Sequence, residues 1–303
     1  MFVLANTCGR LHDAREASFS PLDRGFLYGD AVYEVWRTYG GTLFGMREHW
    51  ARLEHSAAAL GFERLPFSIE EFTAQARRTA QEHRFLTRWE GDIYLRLQIT
   101  RGGGAIGLDP ALADEMHWVI LIKALEEMPP AQLEKGYAMA VSSDIRRNAP
   151  QTVSPAYKTG NYLNNILGLR EALAKGAQDV ILLNLAGEVT ESSVRNVWFV
   201  KGDTAYTPPL SAGILGGITR QILLRDFKEN PVLKLREQTI RAEEIADFDS
   251  AFVSSTTQDI VPISSIDGRG LPCGKDCPAL RLKEWVRPAI LKLCAQQPQF
   301  RIL

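Results

Sequence analysis

The sequence predicts a mixed α/β protein in two domains. Its 303 residues can bury a large core and suit two domains of moderate size. Segments in which apolar residues alternate are interleaved with segments in which they recur at helical spacing. The paired prolines of "EEMPPAQLEKG" then break the pattern, because no helix continues through them and polar residues surround them. We place the boundary there, with one domain over 1–127 and the other over 128–303.

Taken in order, "YGDAVYEVWRTYGGTLFGM" alternates apolar residues around Gly40 and Gly41 and reads as a hairpin. "MREHWARLEHSAAALGF" puts Trp50, Leu53, Ala57 and Leu60 near helical spacing, with Gly61 suited to a left-handed helix end. Ser68, followed by acids, caps a second helix that runs to about His83. "DIYLRLQITRGG" and "MHWVILIKAL" are strand-like. Beyond the prolines come the strands "YAMAVSSD" and "DVILLN", a hairpin "VRNVWFVKGDTAYTPP", and a helix from about Thr219. "DSAFVSSTT" and "IVPISSIDG" are strand-like, and "PALRLKEWVRPAILKLCAQQ" is a closing amphipathic helix.

A formal charge of −1 supplies no field to attract nucleic acid or an anionic membrane, so the expected partners are small molecules or protein chains. No run approaches the ~18 apolar residues of a membrane span, and "MFVLANTCGR" lacks the layout of a secretory leader. The expected location is the cytoplasm. Cys8, Cys273, Cys277 and Cys294 are too scattered for a disulfide framework, and reduced thiols are expected. Cys273 and Cys277 flank "GKD" with no second Cys/His pair, which reads as a loop before a zinc site.

"GGGAIG" at 102–107 satisfies G-x-G-x-x-G after a strand, yet Pro110 interrupts where the dinucleotide fold requires a helix; it reads as a mobile glycine loop. P-loop, H-E-x-x-H and G-x-S-x-G patterns do not occur. His49 and Arg52 are three apart on one helix, where a lone histidine is more often packing. "SAGILGGITRQILL" is more telling: glycines run into a helix at Ile218 and Thr219, aiming unpaired N–H groups and a hydroxyl at one point, as a phosphate requires. A plain helix cap needs no such run of glycines. Glu191 of "GEVTESSVRNVWFV" faces water in the ordinary case; facing inward it must pair with a cation or a protonated ring nitrogen. Ser254, Ser255, Thr256 and Thr257 end a strand as local caps or as partners of phosphate oxygens. Lys158 of "SPAYKTGNYLNNILG", on its own, is an ordinary solvated charge. Together, a lysine amine able to form a Schiff base, a phosphate cup and an acid for a ring nitrogen are the parts that pyridoxal 5′-phosphate (PLP) needs.

On the blocks "LDRGFLYGDAVYEVWR", "HWARL", "YKTGNYLNNILG", "GEVTESSVRNVWFV", "GILGGITR" and "VSSTTQDIVPI", the chain resembles the fold-type IV, or class IV, PLP-dependent aminotransferases over nearly its whole length. That group includes branched-chain amino acid and D-amino acid aminotransferases, some (R)-amine transaminases and aminodeoxychorismate lyase. The resemblance implies a small N-terminal α/β domain, a larger C-terminal pseudo-barrel domain with PLP between them, and a homodimer. It implies that Lys158 carries the cofactor as a Schiff base and shuttles the substrate proton, that Glu191 binds the pyridine nitrogen, and that Arg52 pairs with the phosphate. Gly217, Ile218, Thr219 and Thr256 would add phosphate contacts, Leu215 would pack on the ring, and Tyr162 would lie near the 3′-oxygen. The implied reaction moves an amino group between an amino acid, or an amine, and a 2-oxo acid, without a metal. Tyr28, Tyr33, Arg37, Arg101 and Thr257 are the expected substrate contacts.

The first block has "YEVWR", with Val35 where branched-chain enzymes show glycine, a feature nearer the D-amino acid enzymes. Tyr28 and Arg37 match the branched-chain pattern, and "TRGGGAIGLDP" holds Arg101 but no histidine, unlike the D-amino acid carboxylate trap. The alternatives are a PLP lyase of the aminodeoxychorismate type and a PLP-carrying protein without activity. Intact Lys158, Glu191 and Arg52 argue against the last.

Overall fold

The chain begins with an antiparallel pair, β1 (Val3–Thr7) and β2 (Arg10–Asp13), in a computed structural model that describes residues 1–16 and 18–303. There follow α1 (Arg24–Tyr28), β3 (Ala31–Tyr39), β4 (Thr42–Leu43), α2 (Met46–Ala59), α3 (Ile69–Thr87), β5 (Ile93–Thr100) and β6 (His117–Ala124). The strands form one antiparallel sheet in the order β2-β1-β6-β5-β3-β4. The predicted hairpin is β3–β4, turned by Gly40 and Gly41 at positive φ. Ser68 caps α3 in a reciprocal box with Glu71, which satisfies two otherwise unpaired N–H groups.

Alternation along the strands gives this sheet two different faces. Val32 and Trp36 of β3 and Leu95 and Leu97 of β5 join Leu53 of α2 and Phe72, Ala76 and Ala80 of α3 in one buried core. Trp36 lies 5.0 Å from the Phe72 ring. The other face carries Tyr33, Arg37 and Arg96.

Contacts divide the chain into two units: Met1–Glu126 with Tyr157–Asn161 and Leu291–Leu303, and Glu127–Ala156 with Tyr162–Ile290. Two segments expected with the second domain therefore lie with the first. Phe300 and Ile302 are buried in the core of unit one, and Thr159 bridges to Val32 of β3. Each contact lies far off in sequence, out of reach of a local pattern.

Unit two contains α4 (Pro130–Lys135), β7 (Tyr137–Arg146), α5 (Leu163–Ala174), β8 (Asp179–Leu183), β9 (Val189–Ser192), β10 (Asn196–Lys201), β11 (Thr204–Thr207) and α6 (Ile218–Asp226). It continues with β12 (Lys234–Glu237), β13 (Ser250–Ser255), β14 (Asp259–Ile266), β15 (Arg269–Gly270) and α7 (Pro278–Ala295). Strands run β10-β13-β14-β7-β8-β9, and β9 pairs back with β10 through Glu191 and Asn196, which closes a barrel. Met139, Ile181, Val189, Val197, Val253 and Val261, one from each ring strand, fill its interior. Ala140, Val180 and Leu182 face outward onto Ala172 of α5. The fold is mixed α/β, as the alternating segments predict.

Candidate active site

Lys158 sits in a short segment added to the edge of β3. β4 pairs only with Thr38 and Tyr39, so the start of β3 has an edge to offer. Gly160 N–H donates to the Ala31 carbonyl at 2.8 Å, and Tyr33 N–H donates to the Lys158 carbonyl at 3.0 Å. The Lys158 N–H donates to Ser56 Oγ at 3.0 Å. Asn161 closes the segment by donating to the Gly29 carbonyl at 3.0 Å. Gly29 has φ +68, and a Cβ there would meet Asn161 Oδ1 at 2.5 Å, so both its conformation and its bareness are needed. Lys158 Nζ lies 4.4 Å from the Tyr33 ring centroid, and the Arg96 guanidinium lies 3.8 Å from the same centroid. Two cations packed against one ring make a positive region that favours an anion.

Arg52 projects from α2 onto Glu34 of β3. Its Nε donates to Oε1 at 2.7 Å and its Nη2 to Oε2 at 2.8 Å, the two-pronged geometry a guanidinium makes best. His49 Nδ1 is 2.7 Å from Glu34 Oε2, and both side chains are fully buried. Burial opposes the charge on Glu34, but the Arg52 guanidinium and then His49 outweigh it and hold the carboxyl well below the usual carboxylate range. Burial, more than offsetting the attraction of Glu34, holds the His49 imidazole below its ordinary value. His49, read from sequence as packing, is a hydrogen-bonded member of this group.

In unit two Glu191 faces inward and is paired. Arg147 donates to its Oε1 from Nε at 3.1 Å and Nη2 at 2.8 Å. Leu215 N–H donates to its Oε2 at 3.1 Å, so the residue expected on the ring face is tied to the acid expected at the ring nitrogen. Arg147 is held in turn by Asn165 Oδ1 at 3.2 Å. Asn196 Nδ2 donates to the Leu215 carbonyl at 3.0 Å, and a Cβ on Gly217 would fall 1.9 Å from Asn196 Oδ1; only glycine passes there.

α6 begins at Ile218 with Gly217 as N-cap and no side-chain cap. Thr219 Oγ1, in the first turn, and Ser255 Oγ, at the end of β13, are buried hydroxyls with no hydrogen-bond partner among the described residues. Such hydroxyls are costly, and a phosphate at a helix start is a partner that suits them. Thr256 and Thr257 follow in the turn to β14, and Tyr162 is the N-cap residue of α5. The residues fit the phosphate that PLP would bring.

Three expected substrate contacts are placed differently. Tyr28 Oη accepts from Gly107 N–H at 3.2 Å and so braces the 102–107 loop. Arg37 is fully buried, 4.0 Å from the Tyr39 ring centroid, with Nη2 3.9 Å from Asp92. Arg101 donates to both oxygens of Asp30, at 2.8 and 3.1 Å, and to the Leu60 and Gly61 carbonyls at 2.6 and 3.2 Å. Arg37 and Arg101 are thus both engaged within unit one, Arg101 with a carboxylate and two carbonyls and Arg37 against the Tyr39 ring and the Thr38 carbonyl. Arg96, Ser56, Glu34 and Arg147 were missed. The only signal for Arg96 was its place in "YLRLQ", where it shares the non-core face of β5.

Unit one thus holds a buried cation group beside a fixed lysine, and unit two an uncapped helix start with unsatisfied hydroxyls; each by itself suits an anionic group. The amino-transferase class IV family profile matches residues 31–266, and the chain belongs to that family. The D-alanine aminotransferase of Bacillus licheniformis is 33% identical over 284 residues, 92% of this chain and 93% of that one. Among solved structures, a branched-chain aminotransferase from Thermoproteus uzoniensis with norvaline superposes with a TM-score of 0.81 at 30% identity, covering 96% of this chain and 95% of that one. A branched-chain amino acid aminotransferase from Escherichia coli gives 0.82 at 26% identity, covering 96% and 95%. The protein is thus an aminotransferase of class IV, a family whose members use PLP. Among the described residues no helix is long and apolar enough to cross a membrane.

Proposed function

We propose that the protein binds PLP through Lys158 and moves an amino group between an amino acid, of the branched-chain or D-amino acid type, and a 2-oxo acid. The observation that carries this is Lys158 itself, fixed at both its backbone groups beside Tyr33 and Arg96. When bound, PLP supplies an aldehyde that condenses with amines and a ring that withdraws electrons from the substrate Cα. Lys158 Nζ would take and return the Cα proton. Arg52, the N–H groups of Gly217, Ile218 and Thr219, and the Thr219 and Thr256 hydroxyls would hold the phosphate; Glu191 would hold a proton on the ring nitrogen. Leu215 would pack on the ring and Tyr162 would face its 3′-oxygen. Arg37 and Arg101, joined by Arg96, would attract the substrate carboxylate, with Tyr28, Tyr33 and Thr257 nearby.

The same proposal includes a cytoplasmic setting, in keeping with four free thiols, and a homodimer. Exposed Leu163, Ile166 and Leu173 recur at three and seven residues along one face of α5, which supports a second copy covering them. Sedimentation giving only monomer would remove that part.

The test is spectroscopic and chemical. Purified protein should be yellow, and borohydride should fix a cofactor mass on Lys158; colourless protein that takes up no added PLP would refute the reading. A panel of L- and D-amino acids with pyruvate or 2-oxoglutarate then fixes the donor. Pyruvate release without amine transfer would indicate the lyase instead.

A further inference from the structure

The Ser56 hydroxyl touches two parts of the candidate site at once. It donates to the Arg52 carbonyl one helical turn back at 2.8 Å and accepts from the Lys158 N–H at 3.0 Å. Ser56 is fully buried in α2 and is followed by Ala57, Ala58 and Ala59. Propensity alone favours a fourth alanine there, since a mid-helix serine bonding back to its own turn gains the helix nothing. The bond to Lys158 is what the serine adds: its hydroxyl receives the Lys158 N–H.

The other side of the same arrangement is made by neighbouring residues of β3. Tyr33 N–H holds the Lys158 carbonyl, and the Glu34 carboxylate holds the Arg52 guanidinium. The contacts therefore close a ring: Tyr33 to Lys158, Lys158 to Ser56, Ser56 to Arg52, Arg52 to Glu34, and Glu34 back along the chain to Tyr33. A closed ring of short bonds leaves the lysine backbone little freedom relative to the helix that carries Arg52. Its weakest member is the Ser56 hydroxyl, because every other link is a backbone pair, a covalent bond or a doubled ion pair.

We propose that Ser56 is a positioning residue that sets the reactive amine of Lys158 relative to the phosphate-binding arginine. This rests on the reading of Lys158 and Arg52 as PLP ligands. Without the hydroxyl, the phosphate is still held and the lysine is no longer aimed. Losing alignment while keeping binding slows a bond-forming step far more than it weakens affinity.

The experiment compares the full-length protein with Ser56→Ala and Ser56→Thr after the cofactor has been removed. Two quantities are read: the rate at which added PLP becomes borohydride-fixable on Lys158, by mass spectrometry, and the affinity for 4′-deoxypyridoxine 5′-phosphate, which has the phosphate but no aldehyde. For Ser56→Ala we expect attachment slowed by about tenfold or more and probe affinity within about threefold of the parent. Ser56→Thr, which keeps a hydroxyl, should match the parent in both. Attachment at the parent rate in Ser56→Ala overturns the proposal. So does a parallel loss of attachment and probe binding, which would make Ser56 a support for the helix alone, and so does slow attachment in Ser56→Thr with normal probe binding. If the parent itself binds the probe and never attaches PLP at Lys158, the failure belongs to the reading of Lys158 and not to Ser56.

Discussion

Glu34 and Glu191 are both carboxylates buried within β-structure, and each is held by an arginine, yet the two pairings differ. Arg52 grips both oxygens of Glu34, and His49 adds a third contact. Arg147 places both its bonds to Glu191 on one oxygen, while the other is met by the Leu215 N–H from the loop leading into α6 and by Asn196 Nδ2 at 3.4 Å. The first is a clamp whose acid serves its arginine. The second is an acid held end-on, steadied at one oxygen and joined at the other to the loop that leads into α6. An arginine partner therefore does not by itself say which member of a buried pair faces the chemistry; the way the bonds are shared does.

Substituting the acids should separate these roles. The largest effect is expected from Glu34→Ala, which strands a buried guanidinium and should lower unfolding stability by about 3–5 kcal/mol, read from denaturant midpoints. Glu191→Gln keeps the shape and should lower kcat about a hundredfold while the thermal midpoint moves by only a few degrees. A large loss of stability in Glu191→Gln would erase the distinction and make both pairs clamps.

Acid should act through the clamp. His49 and Glu34 both bind protons less readily in the folded chain than when unfolded. As pH falls the unfolded chain therefore takes up protons first, and stability decreases. The decline should begin below about pH 6.5, where a free histidine titrates, and steepen below about 4.3, where a free glutamate does. Glu34→Gln should retain the upper step and shrink the lower one, to which Glu171 also contributes, in midpoints measured across that range. The smallest effect is expected from Ser68→Ala, at the exposed start of α3: about 1 kcal/mol of stability from the lost cap, with turnover unchanged.

The sequence made some of this legible and hid the rest for identifiable reasons. The β3–β4 hairpin, α2, α3, α6 and α7 follow from local alternation, helical spacing, a capping serine and glycine placement. Lys158, Glu191 and the turn into α6 could be proposed because glycines, hydroxyls and a lysine in order carry a chemical meaning without coordinates. The clamp could not, since Glu34 and Arg52 meet only once β3 and α2 are packed together. Arg147 reaches Glu191 across strands distant in the chain. Arg37 and Arg101 were assigned by motif alone, and the side chains that occupy them, Tyr39, Asp92 and Asp30, are invisible to a motif. The short elements β1, β2 and α1 offered too few residues for a period to show.

The closure of the unit-two barrel rests on one cross-strand pair, Glu191 opposite Asn196. The strands joined there are linked by Ser193, Val194 and Arg195 alone, and the Ser192 N–H donates to the Arg195 carbonyl at 2.8 Å. Because strand residues alternate sides, a single-residue insertion between Ser192 and Asn196 cannot be absorbed as a longer loop without moving this pair out of step. Either the ring stays shut and Asn196 leaves Leu215, or Asn196 stays and the seam parts. Length at this tight turn is therefore as constrained as any side chain in the molecule, and a library of one-residue insertions along the chain should find its deepest intolerance at 193–195.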